Sequence, residues 1–311
     1  MLSRAAERIY WAPRYLERAE NTARLVNVYA SLMLDLPKEV GIHWGQLIQI
    51  TGNQRNYRKR FKSTGEMTVV KFMVADPENP GSIMSCLTMA RENMRTSRDL
   101  IPNEGWEHVN ELYLFAHKKL ALKGQRKRLH QFLSDVVMRC QQITGLLAGT
   151  MSHGHAYQFL RLGRNLERAD MSTRILDIGS ANILASGGEL GRLESRLWMH
   201  ILQALSGYQM YRQNVPSRIR GRSAAEYLLK DTLFPRAVGH CLREVEGCLE
   251  LLPRNEKCLQ QVRQTRDFVN NTDVLELYNS KQLDKLLDEI QVRLSDLDKT
   301  ICETWFAPES K

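Results

Sequence analysis

Two stretches of this 311-residue chain set acids and bases at intervals where they can act together: Arg14-Tyr-Leu-Glu-Arg-Ala-Glu-Asn-Thr-Ala-Arg24 and Arg164-Asn-Leu-Glu-Arg-Ala-Asp-Met-Ser-Thr-Arg174. Glu17 and Glu20 stand three residues apart, as do Glu167 and Asp170, a spacing that puts both acids on one side of a helix. Such a pair can hold metal ions or serve as a general base. Flanked by arginines it can instead build an ion network, or grip the carboxylate and ammonium of an amino acid. A dimetal carboxylate site needs Glu-x-x-His, and here each acid has an arginine beside it that repels a cation, so no metal is expected. His153 and His155 sit at i, i+2 before a helix with no counterpart in the first half, which fits a capping or surface role.

Other chemistries lack their residues. There is no GxxxxGK[ST] and no GxGxxG after a strand, so neither ATP nor another cofactor is expected to bind. No GxSxG or Cys-His arrangement points to a nucleophile, and no residue is assigned a catalytic step. The cysteines at 86, 140, 241, 248, 258 and 302 form no CxxC pair, which suits reduced, buried thiols. The N-terminal residues lack a signal-peptide pattern, and no apolar run approaches the ~18 residues of a membrane span. A cytoplasmic location without membrane contact is expected.

The elements that must position the charged residues are helices. Hydrophobic residues make up 43% of the chain, enough for a sizeable core. Apolar positions 9, 12, 16, 19, 23, 26 and 30 follow a 3.6-residue period and predict one long helix ending before Pro37. The same period marks 82–99, 104–121, 126–149, 155–182, 190–212, 235–252, 256–270 and 281–305. Ser82 is placed to cap the helix after the Asp76–Gly81 turn, Ser186-Gly187-Gly188 breaks the chain, and Met67 to Ala75 reads as a short buried helix. The fold class is all-α, a multi-helix bundle.

On a helical wheel Tyr10, Arg14, Glu17, Asn21 and Arg24 share one stripe, opposite Ile9, Ala12, Leu16, Ala19, Ala23 and Val26. That predicts a core face and a charged face. Glu20 to Arg24 and Asp170 to Arg174 are acid-before-base pairs at i, i+4, each contributing a few tenths of a kcal/mol, so a ladder of helix-stabilising ion pairs would account for the spacing alone. The order of charges recurs, however, at an offset of 150 residues. Phe72, Asp76, Pro80, Cys86 and Leu87 match Tyr227, Asp231, Pro235, Cys241 and Leu242 at an offset of 155, and Leu133, Asp135 and Arg139 match Leu287, Glu289 and Arg293 at 154. These matches imply two tandem pseudo-repeat halves, 1–150 and 151–311, folded as a single compact unit. If they are related by a pseudo-twofold, the charged stripes should meet in a half-buried network linking Glu17, Arg14 and Arg24 with Glu167, Arg164 and Arg174.

The opening run from Met1 to Asn21, the segment Ala90 to Asp99 with Trp106 and Asn110 after it, Phe159 to Asp170, and Phe234-Pro-Arg-Ala-Val238 resemble the bacterial alpha-E family over nearly the whole chain. Met94 and Ala237 are mild departures from its usual residues. The resemblance implies an all-helical protein without an established activity. Such proteins are encoded beside a circularly permuted ATP-grasp protein, and often beside a transglutaminase-like peptidase and a proteasome-related peptidase, in a system proposed to form amide bonds. Residue by residue, it carries Arg14, Glu17, Arg18, Glu20, Arg24, Arg91, Asn93, Arg98, Glu167, Arg168, Asp170, Arg174 and Arg236 over as substrate- or partner-binding positions.

Three functions follow as expectations. The first is a non-nucleotide-binding component of an ATP-grasp amide ligase system, with a central Arg/Glu cleft that binds an amino acid or peptide or docks the ligase. The second is a stand-alone enzyme using a cleft carboxylate as general base. The third is a basic module binding nucleic acid or another anion. The net charge of +9, from 44 Lys and Arg against 35 Asp and Glu, gathers at 55–62, 118–128 and 212–222. No RNP, zinc-finger or KH-type motif accompanies these clusters, which argues against nucleic acid.

Overall fold

In the computed structural model residues 2–35, 43–120, 126–185, 191–216 and 218–307 are described. Among them are fifteen α-helices and no strand. Two long helices form the centre, α1 (Ser3–Asp35) and α8 (His155–Ala185). Their contacts advance in the same direction along both chains: Tyr10 lies against Gly163, and Arg14 reaches Glu167. The two helices therefore run side by side and parallel. They approach closely because Gly163 has no side chain; a Cβ there would stand 2.2 Å from the Tyr10 carbonyl oxygen.

Around this pair the neighbour relations repeat. Helix α1 packs on α5 (Ile83–Arg95) and α7 (Arg126–Thr150), and α8 packs on α12 (Val238–Glu250) and α15 (Leu283–Trp305). An outer helix, α6 (Asn103–Leu120), then lies on α5 and α7, as α13 (Glu256–Asn271) lies on α12 and α15. The flanking helices are amphipathic in the ordinary way. Helix α15 buries Leu283, Leu286, Leu287, Ile290, Leu294, Leu297, Ile301 and Trp305, a single stripe at three- and four-residue steps.

Helix α1 differs, because its charged face is buried as well as its apolar one, as a meeting of the two charged stripes requires. Ile9, Ala12, Ala19 and Val26 are buried, but so are Tyr10, Arg14, Glu17, Glu20 and Asn21. Helices α5, α7, α8 and α9 (Gly191–Ala204) all pack on it, so the charged stripe lies inside the protein, while a strip through Arg4, Glu7, Trp11, Tyr15 and Arg18 stays partly open to water.

Most expected helices are present, with Met67 to Ala75 realised as α4 (Glu66–Val74) and Ser82 accepting a hydrogen bond from the Ser85 amide at the start of α5. The helix expected over 190–212 is interrupted. After α9 the chain turns at Ser206, whose φ is +54°, before α10 (Tyr208–Asn214). The Gly207 amide donates back to the Leu202 carbonyl at 2.7 Å, a helix-ending turn that apolar periodicity does not register. Helix α12 begins three residues later than expected because Asp231 first folds Leu233 and Phe234 into a turn, accepting from both amides. Four short helices lie outside the expected spans: α2 (Gly45–Ile50), α3 (Gln54–Arg60), α11 (Gly221–Lys230) and α14 (Val274–Asn279). Pro37 and Ser186-Gly187-Gly188 lie outside the described residues.

Candidate functional site

The charged stripes of α1 and α8 meet. The Arg168 guanidinium donates to both oxygens of Glu17, Nε at 3.0 Å and Nη2 at 2.7 Å. In the opposite direction Arg18 donates to both oxygens of Glu167, at 2.6 and 2.9 Å. Each glutamate is thus held bidentately by the arginine that follows the other glutamate, the planar fork-to-carboxylate geometry at which Arg excels. Arg14 adds a third bond to Glu167, Nε to Oε2 at 3.0 Å.

A second arginine comes to Glu17 from a different element. Arg236, in the turn before α12, donates to Glu17 at 2.9 Å, to Asn21 Oδ1 at 2.7 Å and to Glu20 at 2.6 Å. Its backbone is fixed by Ser172 of α8, whose hydroxyl donates to the Arg236 carbonyl at 2.8 Å. Asn21 also donates to Glu17 at 3.0 Å. Arg14 extends the network to α15, pairing with Asp298 and donating to the Tyr10 hydroxyl at 2.9 Å, while that hydroxyl donates to Asp298 at 2.6 Å. Asp298 was invisible to sequence reasoning because it lies outside every matched motif.

Burial and charge oppose each other here, and charge wins. Glu17 and Glu167 are 2% and 1% exposed, and burial alone would raise their pKa. Arg168 and Arg236 outweigh it at Glu17, and Arg18 and Arg14 at Glu167, so both carboxyl pKa values are lowered, that of Glu17 well below the usual carboxylate range. Arg164 is the odd member. Its Nε is buried without a hydrogen-bond partner, and burial, with Arg168 beside it, lowers its pKa against the pull of Glu17. Arg164, Glu17, Glu20 and Thr144 line a cavity of about 10 Å³, roughly the space of one water molecule. A larger cavity of about 1110 Å³ lies elsewhere, among α4, α6 and α7, lined by Val70, Lys71, Leu129 and Phe132.

The expected cross-links are therefore corrected in detail. Arg14 does bridge the two helices, but Arg18 and Arg168 carry the principal pairs. Arg24 instead binds Glu20 on its own helix, at 3.0 and 2.9 Å, and Arg174 binds Asp170 at 2.7 Å and the Ile50 carbonyl at 3.2 Å. The bonds to Glu20 and Asp170 are the acid-before-base i, i+4 pairs that the spacing predicts, and they hold Arg24 and Arg174 to their own helices. Arg91, Asn93 and Arg98 stand apart on α5 and the 3-10 turn that follows it. Arg91 donates to Asn110 at 2.7 Å, and Arg98 lies 4.3 Å from the centre of the Trp106 ring. His153 bonds the Ala148 carbonyl and stacks on Tyr157. Among the described residues no group of three or more His, Cys, Asp or Glu is arranged to hold a metal ion.

The glutamate–arginine dipeptide occurs at Glu7-Arg8, Glu17-Arg18 and Glu167-Arg168, and the last two are the crossed pair. A family model described as a predicted alpha-helical domain with a conserved ER motif matches residues 1–306. The chain belongs to the Alpha-E family. This Alpha-E chain is also similar to an uncharacterized protein of Mycobacterium bovis, 22% identical over 96% of its length, and to an uncharacterized protein of Mycobacterium tuberculosis, 21% identical over the same share. It spans only 36% of the length of either relative. No solved structure matches the Alpha-E chain. Among its described residues no helix is long and apolar enough to cross a membrane.

Proposed function

We propose that this Alpha-E chain is the non-nucleotide-binding helical component of an ATP-grasp amide-ligase system, which it serves by docking the ligase rather than by chemistry in its interior. The observation that carries this reading is the state of the central carboxylates. Glu17 and Glu167 have both oxygens engaged by arginine forks and are held ionised far below neutrality, so neither is poised to take a proton from an amine near pH 7. The network instead joins the helices of residues 1–150 to those of 151–311, which we read as tandem copies. The repeated packing of α1 with α5 and α7, and of α8 with α12 and α15, supports that origin.

A docking role also accords with the relatives, in which the region similar to this chain accompanies nearly twice as much additional polypeptide. The resemblance names the partners: an ATP-grasp ligase in the cytoplasm, the transglutaminase-like and proteasome-related peptidases encoded nearby, and an amino acid or peptide handled by the complex.

The test is reconstitution with an ATP-grasp protein of the kind the resemblance implies, taken from the same organism. The expected result is a stable complex in which amino-acid-dependent ADP release by the ligase rises when the chain is added, while calorimetry finds no ATP binding by the chain alone. ATP binding at micromolar concentration by the isolated chain, or a ligase indifferent to its presence, would overturn the reading.

A further inference from the structure

Arg14, Arg18, Arg168 and Arg236 are paired with buried acids, whereas Arg91 and Arg98 are held in another way. Arg91 on α5 and Arg98 just after it have no ion-pair partner among the described residues. They are held instead by aromatic rings and an amide. The Arg91 guanidinium lies 4.9 Å from the Tyr113 ring centre and 5.7 Å from that of Trp106, with its Nε fixed by the Asn110 side-chain oxygen at 2.7 Å. Arg98 lies over the same Trp106 at 4.3 Å. Trp106, Asn110 and Tyr113 follow one another at four- and three-residue steps on α6, so they form one ridge, and all three are half-exposed. The nearest acid in sequence to Arg91, Glu92, is taken by Arg95, whose Nε and Nη2 reach it at 2.9 and 2.7 Å.

Contact with the rings restrains each guanidinium, and no hydrogen bond from the terminal N–H groups of either to another described residue uses them up, which lowers the entropy lost when a carboxylate arrives. Trp, Tyr and Arg are also the residues on which binding energy concentrates at protein interfaces. We infer that the Arg91–Arg98–Trp106 ridge is a docking site for an acidic peptide segment of a protein partner, with the two guanidinium groups receiving its carboxylates and Trp106 and Tyr113 covering the apolar parts of its side chains. This rests on the docking reading above and names the chemistry by which the partner is met.

The measurement is fluorescence polarisation of a labelled glutamate-rich peptide on the full chain, beside the same peptide with glutamine replacing glutamate. The expected result is saturable binding of the acidic peptide, weakened roughly tenfold or more, one charge-assisted pair's worth, in the glutamine version. The Arg91→Lys, Arg98→Lys double variant keeps the charge but loses the forks, and it should lose affinity to a similar degree, as should Trp106→Ala; circular dichroism confirms that each is folded. Equal binding of the two peptides, or lysine variants that match the parent, would show unspecific attraction to a basic surface and overturn the proposal. Competition by inorganic phosphate but not by glutarate would overturn the assignment to carboxylates. Ligase stimulation that persists in the lysine variant removes the ridge and leaves the docking reading standing; peptide binding without any stimulation does the reverse.

Discussion

Arg168 and Glu17 meet across the α1–α8 interface through two parallel hydrogen bonds, 3.0 and 2.7 Å long, with the carboxylate 2% exposed. Both charges are out of water, so the pair is worth most when whole. Its energetic signature is the cost of leaving one partner alone.

Truncating one member should therefore destabilise the fold strongly. Glu17→Ala leaves Arg168 and Arg236 without their shared acid, and Arg168→Ala leaves Glu17 with Arg236 as its remaining arginine partner, through a single Nη1 bond. Each is expected to cost about 3–5 kcal/mol in urea unfolding, the range for a broken buried pair. The double variant should be less unstable than the sum, with a coupling of about 0.5–3 kcal/mol. Simple additivity would mean that the two charges do not support each other.

Acid should unfold the protein through the same groups. Glu17 and Glu167 have depressed pKa values in the folded state, while an unfolded glutamate titrates near about 4.3. The unfolded chain therefore binds protons first as pH falls. The contribution of these carboxyls is fully present above about pH 4.3 and is lost progressively below it. Melting temperature followed from pH 7 to pH 3 should fall steeply in that lower window, and Glu167→Gln, already less stable at pH 7, should show a shallower fall.

Close approach of the two central helices gives a third expectation. Gly163→Ala places a methyl group 2.2 Å from the Tyr10 carbonyl oxygen, a backbone atom that cannot swing aside. The helices must separate, at a cost of about 1–3 kcal/mol or more. Gly247→Ala on α12 meets nothing within 4 Å and should stabilise by up to about 1 kcal/mol through helix propensity. Thermal unfolding of the two variants should shift in opposite directions.

Thiol reactivity should separate the cysteines. Cys86 and Cys241 are fully buried, and burial pushes both thiols up to about 12 despite nearby Arg18 and Arg168. In the native protein a thiol reagent at pH 8 should leave them unmodified, with the partly exposed Cys302 the first to react; in denaturant all six should react. Rapid native labelling of Cys86 or Cys241 would contradict the packing around α1 and α8.

The elements and the charged residues of the site are legible in the amino-acid sequence alone. Apolar residues at 3.6-residue spacing located every long helix, because burying one stripe of a helix leaves its period in the chain; short helices such as α2 and α14, only six residues each, are too brief to leave one. The recurrence of Arg, Glu and Arg at an offset of 150 singles out α1 and α8 with Glu17 and Glu167, and the resemblance adds Arg18, Arg168 and Arg236. What those charges do depends on the packing. The recurrence of the stripe predicts that its two copies meet, but a wheel built on one helix does not say which arginine of the other reaches which acid. Whether Glu17 finds Arg18 beside it or Arg168 on the neighbouring helix depends on side-chain reach across a helix–helix gap closed by Gly163, and that distance is written in no local pattern. Asp298 and Arg236 enter from elements that are remote in sequence, brought in because buried charge must be neutralised from every direction at once.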